Sequence, residues 1–152
     1  YAQRAGFSIS EISLYMGVAM VGAAAMQFPL GWLSDAIGRR ATLFFMSLGG
    51  MGASIFGLCT QTMPHLYQYA PFALIGALVL PLYGLGAAHT NDHVEQRHRI
   101  AAAAGLVLLF GLGSIFGPLI VGSAITELGA GGFFIVLASI MGLSVAACAL
   151  PR

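Results

Sequence analysis

A cluster of metal-ligating side chains sits in one short stretch. His89 and His93 stand four residues apart, with Asp92, Glu95 and His98 close by. Paired imidazoles on one helical face beside a carboxylate are legitimate zinc ligands. The spacing is not that of zinc proteases, however, and 89–99 is the one long polar stretch, read here as a solvated loop. No metal is therefore expected. Candidates for covalent chemistry do no better: Ser114 and Ser123 have no base near them in sequence, and His89 has no acid at catalytic spacing. No catalytic residue and no cofactor are assigned, and the chain is not expected to be an enzyme. Cys59 and Cys148 lie in apolar runs as small packing residues. What remains is solute recognition by hydrogen bonding, for which Gln27, Tyr83, His89 and Asn91 are the candidates for lining a cavity.

These residues are carried by elements that must live in hydrocarbon. Hydrophobic residues make up 59% of the chain and charged residues 7%, against roughly 45–50% and about 25% in soluble domains. There is no Lys and the net charge is +1, so the basic surface that nucleic-acid binding requires is missing. The charges occur only as punctuation. None lies between Glu11 and Asp35, from Ala41 to Asn91, from Ile100 to Thr126, or from Leu128 to Pro151. A spanning helix takes about 20 apolar residues, so the second block holds two spans, divided by the polar group Gln61, Thr62, Pro64, His65 and Gln68. The expected fold is all-α: a polytopic transmembrane bundle with spans at about 10–33, 41–60, 70–88, 100–125 and 132–150. Ser8 and Glu11 read as a capping box that starts the first helix. Barrel strands would alternate polar and apolar residues, and these runs are continuous.

Arginines orient the bundle, because short loops rich in them stay on the cytoplasmic side. Arg39 and Arg40 follow the first span, Arg97 and Arg99 the third, and Arg152 the fifth, leaving only Arg4 on the other side. The N-terminal end is expected outside and the C-terminal end inside. Because the sequence opens on Tyr1 and stops at Arg152, beside the membrane, it is expected to be a segment of a longer chain.

Small residues at four-residue spacing let lipid-embedded helices approach closely. They mark the first span (Ala19, Ala23, Gln27, Gly31), the second (Gly49, Ala53, Gly57), the fourth (Gly113, Gly117) and the fifth (Ala138, Gly142, Ala146). Gln27 on such a stripe is expected to face protein. Pro29, Pro81 and Pro118 fall inside the first, third and fourth spans, where each removes an amide donor and frees the carbonyl of Ala25, Ala77 or Ser114. Bends are expected there. The proline-free second and fifth spans are expected to be peripheral struts.

The ten residues Gly31, Trp32, Leu33, Ser34, Asp35, Ala36, Ile37, Gly38, Arg39 and Arg40 resemble the cytoplasmic loop signature of the major facilitator superfamily, G-x-L-(A/S)-D-(R/K)-x-G-(R/K)-(R/K). Nine of ten places agree, and Ala36 departs where the family has a basic residue. The match falls between two spans on the expected cytoplasmic side. Gly113, Ser114, Ile115, Phe116, Gly117, Pro118 and then Gly122 are similar to the glycine- and proline-rich stretch of the family's fifth or eleventh helix. The approach from Tyr83 to Asp92 is similar to the tenth helix of bacterial drug- and solute-exporter-like members, and the third span lacks the arginine that often marks the fourth helix.

The resemblance implies helices eight to twelve of a twelve-helix fold, with an N-terminal transmembrane half as partner. It implies a multi-pass protein of the bacterial cytoplasmic membrane that moves a small solute by alternating access, in which two bundles rock about a central site. Gly31, Asp35, Gly38, Arg39 and Arg40 then form a gating loop. In this latch Asp35 sits near a helix N-terminus, and the arginines pair with carboxylates or lipid phosphates. No ionisable group lies mid-span, where ion pathways usually need one. Proton coupling is thus expected from helices outside this chain, and a neutral or apolar solute suits the walls. A structural or sensory helical subunit and an intramembrane enzyme stand as alternatives; the former would not need the signature.

Overall fold

The computed structural model describes residues 1–150, so Arg152 and its part in the orientation argument lie outside the described residues. Six α-helices follow one another: α1 (Ile9–Ile37), α2 (Arg39–Cys59), α3 (His65–Val79), α4 (Leu82–His93), α5 (Arg99–Leu128) and α6 (Gly132–Ala149), with a 3₁₀ turn at Gln96–His98 before α5. Among the described residues there is no β-strand. Taking α3 and α4 together as His65–His93, five segments are long and apolar enough to cross a membrane.

Local chemistry sets the boundaries. The Glu11 amide donates to Ser8 Oγ at 3.3 Å, and the Ser8 amide donates to the Glu11 carboxylate at 2.8 Å. The capping box therefore closes the start of α1. At its other end α1 runs on to Ile37, so most of the supposed loop signature is helical. Nothing between Ser34 and Ile37 opposes helix, and in lipid a helix keeps its amides satisfied. A single residue makes the turn: Gly38 has φ 87° and ψ 149°, and its amide donates to the Ser34 carbonyl at 3.0 Å. That region of backbone space is essentially restricted to glycine.

The third span also starts earlier than its polar residues imply. Pro64 stands before α3, and Gln68 is buried inside it, accepting from the Tyr1 hydroxyl at 2.7 Å and donating to the Met63 carbonyl at 3.0 Å. Internal partners remove the cost that would have kept this amide in water. Of the prolines expected to bend helices, Pro29 and Pro118 lie within continuous α1 and α5. Pro81 alone divides a span, separating α3 from α4. The polar stretch beginning at His89 is not all loop: α4 continues to His93, because a helix end that projects into water needs no apolar face.

Helix packing follows the small residues unevenly. A methyl on Gly76 would overlap the Ala19 carbonyl, and one on Gly22 the Ala73 carbonyl, so α1 and α3 meet backbone to backbone. Gly57 of α2 receives the Phe134 ring of α6, and Ser47 and Ser144 join the same two helices at 2.8 Å. Rather than a peripheral strut, α2 packs against α1, α3, α4 and α6, because Gly49 and Gly50 also admit Leu78 and Val79. By contrast, among the described residues α5 leans mainly on α4, α6 and the turn before it, and its Gly113 and Gly117 face open space.

The contacts gather the helix ends into two groups. At one, Tyr1, Tyr15, Phe72, Phe133 and Phe134 form an aromatic cluster, Glu11 meets His65 at 3.1 Å, and Arg4 bonds the Ile125 carbonyl at 2.6 Å. At the other, Arg39, Arg40, Asp92 and Cys148 come together.

Candidate functional site

A cavity of about 400 Å³ opens near this second end, between α1, α2 and α4. Gln27, Gly31, Ser34 and Asp35 of α1 line one wall, Arg39 and Met46 of α2 another, and Pro81, Tyr83 and Ala88 the third. Three of the expected gating residues, Gly31, Asp35 and Arg39, therefore share a space with Gln27 and Tyr83, the candidate solute contacts. Gln27 is exposed on this cavity rather than packed against a neighbouring helix. The close approach of α1 to α3 lies at Ala19 and Gly22, and Gln27, farther along α1, lines the cavity beside Pro81 instead.

Polar groups in the cavity differ in how they are satisfied. Asp35 is exposed and takes part in no hydrogen bond or ion pair among the described residues. Its neighbour Ser34 is buried at 4% exposure, and its hydroxyl has no partner among the described residues, although a helical serine ordinarily donates to the carbonyl four residues back. An unpaired buried hydroxyl beside an empty space is a ready anchor for a polar atom of a bound molecule. Leu30, Met46, Leu80 and Leu85 supply apolar walls, the composition typical of small-molecule sites.

Behind the cavity, Arg39 Nε forms an ion pair with Asp92 Oδ2 at the end of α4. Arg40 instead reaches α6, donating from Nε to the Cys148 carbonyl at 3.1 Å and from its terminal nitrogen to the Leu150 carbonyl. The two adjacent arginines thus tie the start of α2 to two different helices. His89 and His93 have their rings 4.5 Å apart, and the His93 ring nitrogen Nδ1 meets the His89 carbonyl at 2.9 Å. Glu95 pairs with Arg97 at 2.6 Å, so the acids next to the histidines are engaged with arginines.

The Major Facilitator Superfamily profile matches residues 1–152, the whole chain. The chain belongs to the major facilitator superfamily. An uncharacterized MFS-type transporter of Bacillus subtilis, YfkF, is 30% identical over 119 residues, covering 78% of this chain and 30% of that protein. The uncharacterized MFS-type transporter YcaD of Escherichia fergusonii is 26% identical over 144 residues, covering 92% of this chain and 35% of its own length. YcaD of Escherichia coli is 28% identical over 145 residues. The chain thus spans about a third of the length of these curated relatives. No solved structure matches. With five segments able to cross a bilayer, this member of the superfamily is a multi-pass integral membrane protein.

Within the superfamily signature, the sequence brought forward the residues but not their partners. Gly38 is the turn, and Arg39 and Arg40 are cross-ties. Asp92 is the partner of Arg39, and the spacing of 53 positions gives no local signal for it. His89 and Asn91 do not line the cavity that Gln27 and Tyr83 share. His89 lines a second, adjoining cleft, and Asn91 is exposed on the last turn of α4. Pro118, Gly113 and Gly117 line neither space.

Proposed function

We propose that the chain forms helices eight to twelve, the C-terminal half, of a twelve-helix secondary transporter in a bacterial cytoplasmic membrane, moving a small solute by alternating access. The observation that carries this reading is the shared cavity: solute-contact candidates Gln27 and Tyr83 open onto the same space as Asp35 and Arg39. Occupancy of that space and the state of the inner gate are then mechanically coupled.

The moving part follows from the packing. α3 is fixed to α1 through backbone contact at Gly22 and Gly76. Beyond Pro81, α4 has no buried residue, and the ion pair from Asp92 to Arg39 holds its far end against α2. A segment with little buried surface, joined at a proline, opens at low cost. We assign the latch to Arg39 and Asp92 together, with Asp35 facing the cavity mouth as the group available to a basic partner on the N-terminal half. Apart from Asp35 and Arg39 the cavity walls carry no charged side chain, which favours a solute with a large apolar surface, and the coupling ion is handled by helices beyond this chain.

Flux through the full-length protein in reconstituted vesicles tests the assignment, using a panel of neutral and weakly charged apolar solutes. Asp35→Asn at wild-type abundance is expected to slow transport about tenfold, the effect of a bias of about 1.4 kcal/mol between two states. Wild-type flux in that variant would remove Asp35 from the gate.

A further inference from the structure

The adjoining cleft, of about 740 Å³, lies where the starts of α2 and the ends of α4 and α6 meet. Arg39, Arg40, Phe45, His89, Asp92 and Cys148 are among its lining residues. Its charges do not cancel. Arg39 is neutralised by Asp92, whereas among the described residues Arg40 bonds only backbone carbonyls, of Cys148 and Leu150, and meets no carboxylate that would compensate its positive charge. A guanidinium carries five N–H donors, so donors remain after those two bonds. The α2 N-terminus adds to the same field. Its Thr42 amide is bonded to the Gly38 carbonyl, and no side chain caps the amides before it, which concentrates about half a positive charge there.

Beside this cationic corner lies exposed apolar surface. Phe45 is 56% exposed and Ile37 43%, and the Phe44 and Phe45 rings meet edge to face at 5.5 Å. Cation and bare aromatic side by side, at the end of a membrane-spanning helix, match the junction between a lipid headgroup and its acyl chain. A free anion in water would gain nothing from Phe45.

We propose that this cleft binds an anionic phospholipid, with the phosphodiester on Arg40 and the open amides of α2 and an acyl chain along Phe45 and Ile37. The proposal rests on the reading that this end of the bundle lies at the inner leaflet. Binding here bears on the Gly38 turn and on Arg39, which lines both the cleft and the cavity, so the lipid acts on the same helix ends that form the gate.

Native mass spectrometry of the purified full-length protein tests it, with dioleoyl phosphatidylglycerol against dioleoyl phosphatidylcholine and glycerol phosphate as a headgroup without chains. The wild type is expected to prefer phosphatidylglycerol about tenfold. Arg40→Gln is expected to lose that preference, Arg97→Gln, which alters a charge outside the cleft, to keep it, and glycerol phosphate not to compete at equal concentration. Equal binding of the two lipids by the wild type, an undiminished preference in Arg40→Gln, or equal competition by glycerol phosphate would overturn the lipid site. Should Arg40→Gln fail to fold, a photoactivatable phosphatidylglycerol on the wild type decides instead. Crosslinks within 37–45 or at 89–93 support the site, and crosslinks confined elsewhere overturn it. Transport by a protein without lipid preference counts against this proposal alone. Lipid preference in a protein that moves no solute counts against the transport reading and leaves the cleft standing.

Discussion

Arg39 and Asp92 each remain partly open to water, with side chains 34% and 48% exposed. An ion pair in that setting contributes roughly 0–1 kcal/mol to stability, too little to hold a fold together and enough to bias two conformations. Its loss should therefore appear in function before it appears in melting temperature. Reversing one charge, Arg39→Asp or Asp92→Arg, is expected to lower flux by about fivefold to tenfold while the melting temperature in detergent moves little. The double reversal should restore most of the flux, and an unrescued double variant would show that the charges do not act on each other. Gly38 is the opposite case, with a steric demand and no charge. Any Cβ at φ 87° is strained, so Gly38→Ala is expected to cost about 1–3 kcal/mol, read as a fall in melting temperature. An unchanged melting point would mean that the turn relaxes freely. The residue types at both positions were legible from the signature; the pairing of Arg39 with a residue on another helix was not, because no sequence spacing encodes it.

Helices were legible to the extent that lipid dictates them. Uncharged length gave the number of crossings, since a backbone in hydrocarbon has to bond to itself. Where polarity was used to set boundaries, it misled. Gln68 is polar and buried within α3, and the signature after Leu33 is polar yet helical. Small-residue stripes were ambiguous for a different reason: spacing reveals that a helix has a smooth face, never which helix covers it. Gly57 and Gly113 both stand on such stripes, yet one receives the Phe134 ring and the other faces open space, while Gly76, which stands on none, touches a backbone carbonyl. The contrast makes a test. Gly76→Ala forces α1 and α3 apart and is expected to destabilise by about 1–3 kcal/mol. Gly52→Ala, with nothing within 4 Å of the added methyl, should be neutral or stabilise by up to about 1 kcal/mol through helix propensity. Similar melting temperatures for the two variants would refute the backbone contact. Pro81 completes this scale, for it divides one span into a fixed half and a half with no buried side chain.

Across the whole molecule, α5 presents Leu109, Phe110, Ile115, Phe116 and Leu119 on its exposed surface, and the chain spans about a third of its curated relatives. Both are expected under the proposed twelve-helix reading, in which helices outside this chain would cover α5. Composition alone gave the membrane, and the signature gave the family. The cavity was not legible in the sequence, since it is made by three helices whose mutual placement depends on glycine contacts and a proline break. Gate, cavity and lipid cleft alike depend on the five crossings and on which helix ends share a side. Single cysteines placed at Gly38, Thr62 and His93, in a full-length protein with Cys59 and Cys148 replaced, can be probed with a thiol reagent that does not cross membranes. Positions 38 and 93 are predicted to react only from the cytoplasmic side and position 62 only from outside; reaction of 38 and 93 from opposite faces would contradict the account.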